Sequence, residues 1–139
     1  PQFTSASESA KASSLVSQVQ TIRSQLELYQ VQHNGTYPDM VSNDWTPMTG
    51  KSGSNDQYGP YLQQAPSNPF APEPSGQGSS FDSTTVVGTG STSGGWQYDK
   101  SSGEIKAIID SGETSKADAE SLGLIEDQTA STHDDVVFK

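Results

Sequence analysis

The sequence contains no cysteine, few cations and no long apolar run. Without cysteine, the 139-residue chain forms no disulfide and offers neither a thiol nucleophile nor a cysteine-ligated zinc site. Seven Lys and Arg against 17 Asp and Glu give a formal net charge of −10, and such a surface repels phosphate backbones and anionic lipids. No segment approaches the ~20 apolar residues of a membrane-spanning helix. The sequence therefore predicts a chain that is soluble as given and does not bind nucleic acid.

Large aliphatic residues are also scarce. Leu, Ile, Val and Phe together number 23 of 139 residues, a share low enough to be typical of disordered chains. Two Trp, five Tyr and several patterned segments nevertheless supply anchors for a modest core. We therefore expect one small α+β domain with long polar loops.

The N-terminal part predicts one long amphipathic helix. Between Ser5 and Asn34 the chain has no Gly and no Pro, and apolar residues recur at alternating steps of three and four. The residues expected to pack this helix on the sheet are Leu15, Val19, Ile22, Leu26 and Tyr29. Ala12 and His33 extend this stripe, and Asn34-Gly35 supplies a left-handed helix stop. Some 30 residues form a rod of ~45 Å, which is too long for so small a domain to cover.

The rest of the chain predicts a small antiparallel sheet and a short helix. Residues 81–87 are expected to form a strand, and residues 96–108 alternate around a Gly-containing turn, as in a β-hairpin. Residues 114–122 predict a helix that begins at Thr114 or Ser115 and stops at Gly123. Residues 136–138 are expected to add an edge strand. Residues 36–57 are expected to be irregular, with Trp45 and Met48 as the only side chains that anchor this segment to the core.

No residue pattern predicts a catalytic site. His33 and His133 lie a hundred residues apart without identifiable partners, so we interpret both as structural or solvated. The chain has no Gly-x-Ser-x-Gly elbow and no phosphate-binding loop. Trp96 and Tyr98 suggest a sugar-stacking platform, but paired aromatic residues on a hairpin more often belong to the core. We therefore expect a protein that is not an enzyme and carries no organic cofactor.

Calcium is the one metal that the acidic residues suggest, because it prefers clustered carboxylates in loops. One candidate set is Asp110, Glu113 and Asp118. A second set lies in the C-terminal tail and comprises Glu126, Asp127, Asp134 and Asp135. Neither set has the spacing of an EF-hand. The pattern favours a solvated acidic surface over a metal site.

Several motifs resemble the type IV pilin-like family, and within it the major pseudopilins of type II secretion. Pro1-Gln2-Phe3 opens the long helix, and His33-Asn34-Gly35-Thr36-Tyr37-Pro38 closes it. The later segments that carry the resemblance are Gly59-Pro60-Tyr61-Leu62, Pro66-Ser67-Asn68-Pro69-Phe70 and Gly95-Trp96-Gln97-Tyr98-Asp99. The resemblance covers roughly residues 1 to 110, and residues 1 to 40 are its specific part.

The resemblance implies a pilin-like fold in which a long N-terminal helix packs on a small antiparallel sheet. Residues 1–35 are then the amphipathic half of the pilin helix, and residues 36–139 are the globular head of the same domain. An apolar helix half that precedes Pro1 would anchor a periplasmic head in the inner membrane. Phe3, Ala6 and Ala10 would contact neighbouring helices in the filament.

The same resemblance implies a structural subunit that polymerises to drive protein export. Its partners would be further copies of itself, minor pseudopilins and the inner-membrane secretion platform. Asp110-Ser111-Gly112-Glu113 departs from the calcium loop of major pseudopilins, so a calcium requirement is not expected. Two alternatives stay open. One is the major subunit of a type IV pilus, and the other is an extracellular module that binds a glycan or a protein through residues 42–57 and 72–94.

Overall fold

The computed structural model describes residues 2–72, 83–110, 112–125 and 132, without the side chains of residues 2–8 and 113–115. The described chain is α+β, as expected. Helix α1 spans Gln2–Gln32, and the short helices α2 and α3 span Met40–Asn43 and Thr46–Thr49. A 3-10 turn at Ser54–Asp56 follows. The remaining elements are strands β1 (Val86–Val87), β2 (Trp96–Asp99) and β3 (Glu104–Ala107), and helix α4 (Glu113–Ser121).

Helix α1 confirms the predicted long N-terminal helix, and it contacts strand β3. The end of the helix has the left-handed stop that the sequence predicted at Asn34-Gly35. Asn34 and Gly35 both adopt left-handed backbone conformations, with φ of 59° and 83°. The Gly35 N–H donates to the carbonyl oxygen of Gln30 at 2.8 Å. The same carbonyl accepts a second hydrogen bond from the His33 N–H at 3.2 Å, and together the two bonds close the last turn of the helix.

The sheet has the order β1-β2-β3 and is mixed. Strands β2 and β3 form the predicted antiparallel hairpin, with Trp96 opposite Ala107 and Tyr98 opposite Ile105. These four side chains are buried on one face. Strand β1 runs parallel to β2, with Val86 opposite Trp96. The expectation of a wholly antiparallel sheet was therefore wrong.

The 81–87 strand was predicted too long, since only Val86–Val87 form a strand and residues 81 and 82 lie outside the described residues. Strand β1 is held by side chains distant in sequence. The Asp44 carboxylate accepts a hydrogen bond from the Val86 N–H at 3.0 Å, and the Trp45 indole N–H donates to the Thr84 carbonyl at 2.7 Å. These contacts fix the direction of β1 without any signal in its own sequence.

The core extends from helix α1 across the hairpin to the segment that contains α2 and α3. Trp45 and Met48 are buried, as predicted, but Met40 is buried as well. The expectation of only two anchors there was therefore incomplete. The Trp45 ring meets the Trp96 ring edge-on at a centroid distance of 5.9 Å. This aromatic contact joins the α2–α3 segment to the sheet.

Helix α4 confirms the predicted short helix, but its start was predicted wrongly. Gly112 takes the N-cap position rather than Thr114 or Ser115. Gly123, with φ of 78°, ends the helix as expected. Farther along, Ile108 forms an isolated antiparallel bridge with Thr132. The edge strand expected at residues 136–138 lies outside the described residues.

Candidate assembly surface on helix α1

Helix α1 carries two stripes on opposite faces. The first is buried, and Leu15, Val19, Ile22 and Leu26 are each at most 1% exposed. The second, which we name the outer stripe, is exposed along its whole length. It consists of Ala10, Ser14, Ser17, Thr21, Ser24, Leu28 and Val31. Ser17 follows Leu15 by two residues, which corresponds to about 200° of rotation around an α-helix, so the two stripes lie about half a turn apart.

The outer stripe is uncharged and ends in two exposed apolar side chains. Leu28 is 42% exposed and Val31 is 75% exposed, and of the other large hydrophobic side chains that the structure describes only Val41 is comparably open. The four charged residues of α1 are Glu8, Lys11, Arg23 and Glu27, and none belongs to the stripe. In a chain of net charge −10, this uncharged face with two neighbouring exposed apolar side chains at one end is a candidate contact surface.

The described side chains of α1 that precede Ala12 are exposed. Ala12, at 7% exposed, is the first buried residue among the described side chains, and Ser9, Ala10 and Lys11 are exposed. The ten helical residues before Ala12 account for ~15 Å of helix. Ala10, a predicted filament contact, therefore lies exposed on the outer stripe. Phe3 and Ala6 lie on the same helical segment, and their side chains are outside the described set.

A groove adjoins the outer stripe. Its volume is about 320 Å³, and every residue that lines it is uncharged. Helix α1 forms one wall with Ser17, Gln18, Thr21 and Ile22, and the other wall is Leu62, Gln63, Gln64 and Pro66. Sequence reasoning missed this groove because its second wall belongs to a loop forty residues farther along the chain.

An aromatic cluster fixes the C-terminal end of α1 to the head. The His33 ring stacks on Tyr29 with centroids 3.7 Å apart, and Tyr58 and Tyr61 surround it at tilted angles. His33 Nδ1 lies 2.7 Å from the Tyr29 carbonyl, and Nε2 lies 2.9 Å from Ser52 Oγ. Since a carbonyl only accepts, Nδ1 carries the proton in neutral His33 and Ser52 donates to Nε2. His33 is thus a structural residue, and His133 lies outside the described residues.

Tyr29 belongs to this cluster and is half-buried, whereas the other four predicted packing residues are fully buried. Its ring contacts Tyr61 at a centroid distance of 5.3 Å. Burial raises the pKa of both the Tyr29 and the Tyr61 hydroxyl. The Tyr61 hydroxyl in turn donates to Gln32 Oε1 at 2.6 Å. The last turns of α1 are therefore joined to the 58–61 segment by ring contacts and by this hydrogen bond.

Asn68 is a buried polar residue that sequence reasoning missed. It is 1% exposed, and its amide nitrogen donates to the carbonyl oxygens of Gly95 and Ile108 at 2.8 and 2.7 Å. Its side-chain oxygen accepts a hydrogen bond from the Phe70 N–H at 2.9 Å. Asn68 therefore holds the 66–70 segment against the start of β2 and the end of β3. The only signal for this role in the sequence is the position of Asn68 between Pro66 and Pro69.

The candidate calcium ligands are not brought together in the part of the chain that the structure describes. There, no three His, Asp or Glu residues are close enough to hold a metal ion. Asp110 Oδ1 accepts a hydrogen bond from the Gly112 N–H at 3.3 Å, while the Glu113 side chain lies outside the described set. The tail candidates Glu126, Asp127, Asp134 and Asp135 also lie outside it.

The hairpin aromatic residues are core residues and cannot stack on a sugar. Trp96 and Tyr98 are at most 1% exposed. The Trp96 indole N–H donates to the Pro66 carbonyl at 3.0 Å, and the Tyr98 hydroxyl donates to the Pro38 carbonyl at 2.9 Å. Burial raises the pKa of Tyr98 far above that of an ordinary tyrosine.

No protein-family model, no curated protein and no solved structure matches the chain. Within the described residues, none of the helices combines the length and the apolar character that crossing a membrane demands.

Proposed function

We propose that the protein is a structural subunit of a type II secretion pseudopilus. In this proposal it polymerises through its N-terminal helix and is not an enzyme. The observation that carries the proposal is the pair of opposite stripes on α1. One stripe packs on the head, and the other is exposed and uncharged from Ala10 to Val31.

The geometry supports head-to-tail assembly. A single helix that presents one face to its own head and the opposite face to solvent has a surface on which a neighbour can pack through a different surface of its own. Contacts of this heterologous kind generate open filaments. The ring contacts and hydrogen bonds of His33 and Tyr61 attach the end of α1 to the head. This attachment supports the same proposal, because a force that acts along the helix would then also move the head.

The motifs at the two ends of α1 supply the rest of the proposal. Pro1-Gln2-Phe3 would follow an apolar helix half that anchors the head in the inner membrane and packs in the filament core. An ATPase-driven inner-membrane platform would add subunits, and the growing filament would push folded substrates towards an outer-membrane channel. Minor pseudopilins would be the remaining partners.

Two experiments test the proposal. The first is to read the coding sequence immediately before Pro1, where we expect about 20 apolar residues that follow a Gly-Phe-like cleavage junction and include an early Glu. A secretory signal or an unrelated domain in that place would contradict the proposal. It would favour the extracellular binding module, which predicts saturable binding by the 139-residue chain alone.

The second experiment separates the two filament systems. Deleting the gene should remove a set of secreted proteins from the culture medium while surface pili persist. Loss of surface pili with an unchanged secretome would instead identify the protein as the major subunit of a type IV pilus.

A further inference from the structure

The end of helix α1 places an asparagine directly before a glycine, at Asn34-Gly35, and both residues are exposed. In such a pair the backbone nitrogen of the glycine readily attacks the side-chain amide of the asparagine, because glycine has no Cβ that hinders the approach. The structure leaves room for this reaction. A Cβ built on Gly35 would have no neighbouring atom within 4 Å.

We propose that Asn34 is a site of spontaneous deamidation, and that the folded end of α1 sets the rate of this reaction. The substrate is the Asn34 side-chain amide and the co-reactant is water. No partner protein and no cofactor takes part, so the reaction goes beyond the proposed filament function and is independent of it.

The reaction proceeds through a cyclic imide. The Gly35 nitrogen gives up its proton to hydroxide and bonds to Asn34 Cγ, while the Cγ–Nδ2 bond breaks and Nδ2 leaves as ammonia with a proton taken from water. A water molecule then opens the imide. Cleavage of the new N–Cγ bond gives aspartate, and cleavage of the backbone C–N bond gives isoaspartate, in which the main chain runs through Cβ and Cγ.

The native structure restrains the first of these steps. The Gly35 N–H, which must lose its proton, donates to the Gln30 carbonyl at 2.8 Å. His33, two residues earlier, is held by its stack on Tyr29 and by Ser52 Oγ, which lies 2.9 Å from Nε2. The reaction therefore requires a transient opening of the last turn, and the contacts of His33 determine how often that turn opens.

Deamidation changes the helix end in both charge and length. Either product adds a carboxylate at the C-terminal end of α1, where the helix dipole disfavours negative charge. Isoaspartate also adds a carbon atom to the main chain, which moves the Gly35 N–H away from the Gln30 carbonyl. The isoaspartate form should therefore unfold at a lower urea concentration than the native chain.

Peptide mass spectrometry of the folded 139-residue chain, incubated at neutral and at mildly alkaline pH, tests the site. We expect aspartate and isoaspartate to accumulate at Asn34, and to do so faster at the higher pH because the Gly35 nitrogen must lose its proton. The exposed Asn43 is the internal control, since the side chain of the following Asp44 hinders the approach. An unchanged Asn34 after the urea-denatured chain has reacted would overturn the proposal, and so would equal conversion of Asn43.

Two serine variants test whether the helix end sets the rate. Ser52→Ala removes the hydroxyl that bonds to His33 Nε2, so the turn should open more often and Asn34 should react about fivefold faster. Ser54→Ala, at an exposed position of the same loop, is the matched control and should leave the rate unchanged. In denaturing urea all three chains should react at one common rate, at least about tenfold above that of the folded native chain. Equal rates in the folded and denatured native chain, or equal rates in the two folded variants, would overturn the role of the helix end.

Discussion

The side-chain amide of Asn68 donates a hydrogen bond to the carbonyl oxygen of Ile108 at 2.7 Å, across 40 residues of sequence. With its bonds to Gly95 and Phe70, the side chain satisfies three buried backbone groups at once. The 66–70 segment forms the end of the loop wall beside the outer stripe. The shape of the groove therefore depends on a contact made deep inside the head.

Replacing Asn68 should destabilise the chain severely. Asn68→Leu removes the side-chain partner of the Ile108 carbonyl and of the Phe70 N–H, while the Gly95 carbonyl keeps its hydrogen bond from the Ile108 N–H. We expect a loss of about 3 kcal/mol in the free energy of unfolding. Asn68→Asp should be worse near neutral pH, because its carboxylate faces two carbonyl oxygens. Burial disfavours that charge, so the variant should regain stability as the pH falls. Urea denaturation at two pH values measures both effects.

The exposed Asn43 provides the control for Asn68. Asn43→Asp should change the free energy of unfolding by less than about 1 kcal/mol. Equal losses at the two positions would show that Asn68 does not hold the loop as described.

Gly95 should tolerate no side chain. A methyl group there would overlap the backbone carbonyl of Ser83, which cannot move aside as a flexible side chain can. Gly95→Ala should cost about 3 kcal/mol. Gly88 is the matched control, since its added methyl group would meet only Val41 Cγ1, at 3.9 Å. Thermal and urea denaturation of both variants test this close approach, and similar stabilities would contradict it.

Replacing either of two valines on opposite stripes of α1 should affect the stability of the fold differently. Val19 is fully buried, whereas Val31 is 75% exposed. Val19→Ala should cost about 2 kcal/mol, because it leaves a cavity in the core. Val31→Ala should change stability by less than about 0.5 kcal/mol. Denaturation curves of the two variants check this difference, and a large loss at Val31 would mean that the outer stripe serves the fold rather than a neighbour.

The buried Tyr98 hydroxyl should make the chain sensitive to alkali. Burial raises the pKa of Tyr98 in the folded state above the value of about 10 that it has when unfolded. The contribution of the protonated Tyr98 hydroxyl to the free energy of unfolding is therefore fully present below about pH 10. It is lost as the pH rises towards the folded-state pKa. Tyr98→Phe removes this source of loss, so the stability gap between the native chain and the variant should change between about pH 9 and about pH 11. A constant gap would contradict the assignment.

The sequence predicted the features that depend on local spacing. The long helix, its Asn34-Gly35 end and the hairpin that pairs Tyr98 with Ile105 all follow from periodicity and turn chemistry within short segments. Features set by distant partners were missed. The direction of β1 depends on Asp44, and the groove depends on the position of a loop remote from α1.

Part of the candidate site was visible in the sequence as well. Ala10 was predicted as a helix contact from the resemblance to the type IV pilin-like family. The continuation of the outer stripe to Leu28 and Val31 was missed, because isolated apolar residues on a polar face carry no signal until the opposite face is known to be buried. The fold shows which of the two stripes is buried and which is exposed.

Filament formation by two aspartate variants of the full-length protein tests the central claim most directly. Ala10 lies on the outer stripe, and the neighbouring Ser9 is also exposed but lies off it. Both changes add one negative charge at an exposed position and should leave the free energy of unfolding unchanged. Electron microscopy should show filaments with Ser9→Asp and none with Ala10→Asp. Normal filaments with Ala10→Asp would contradict assembly through the outer stripe.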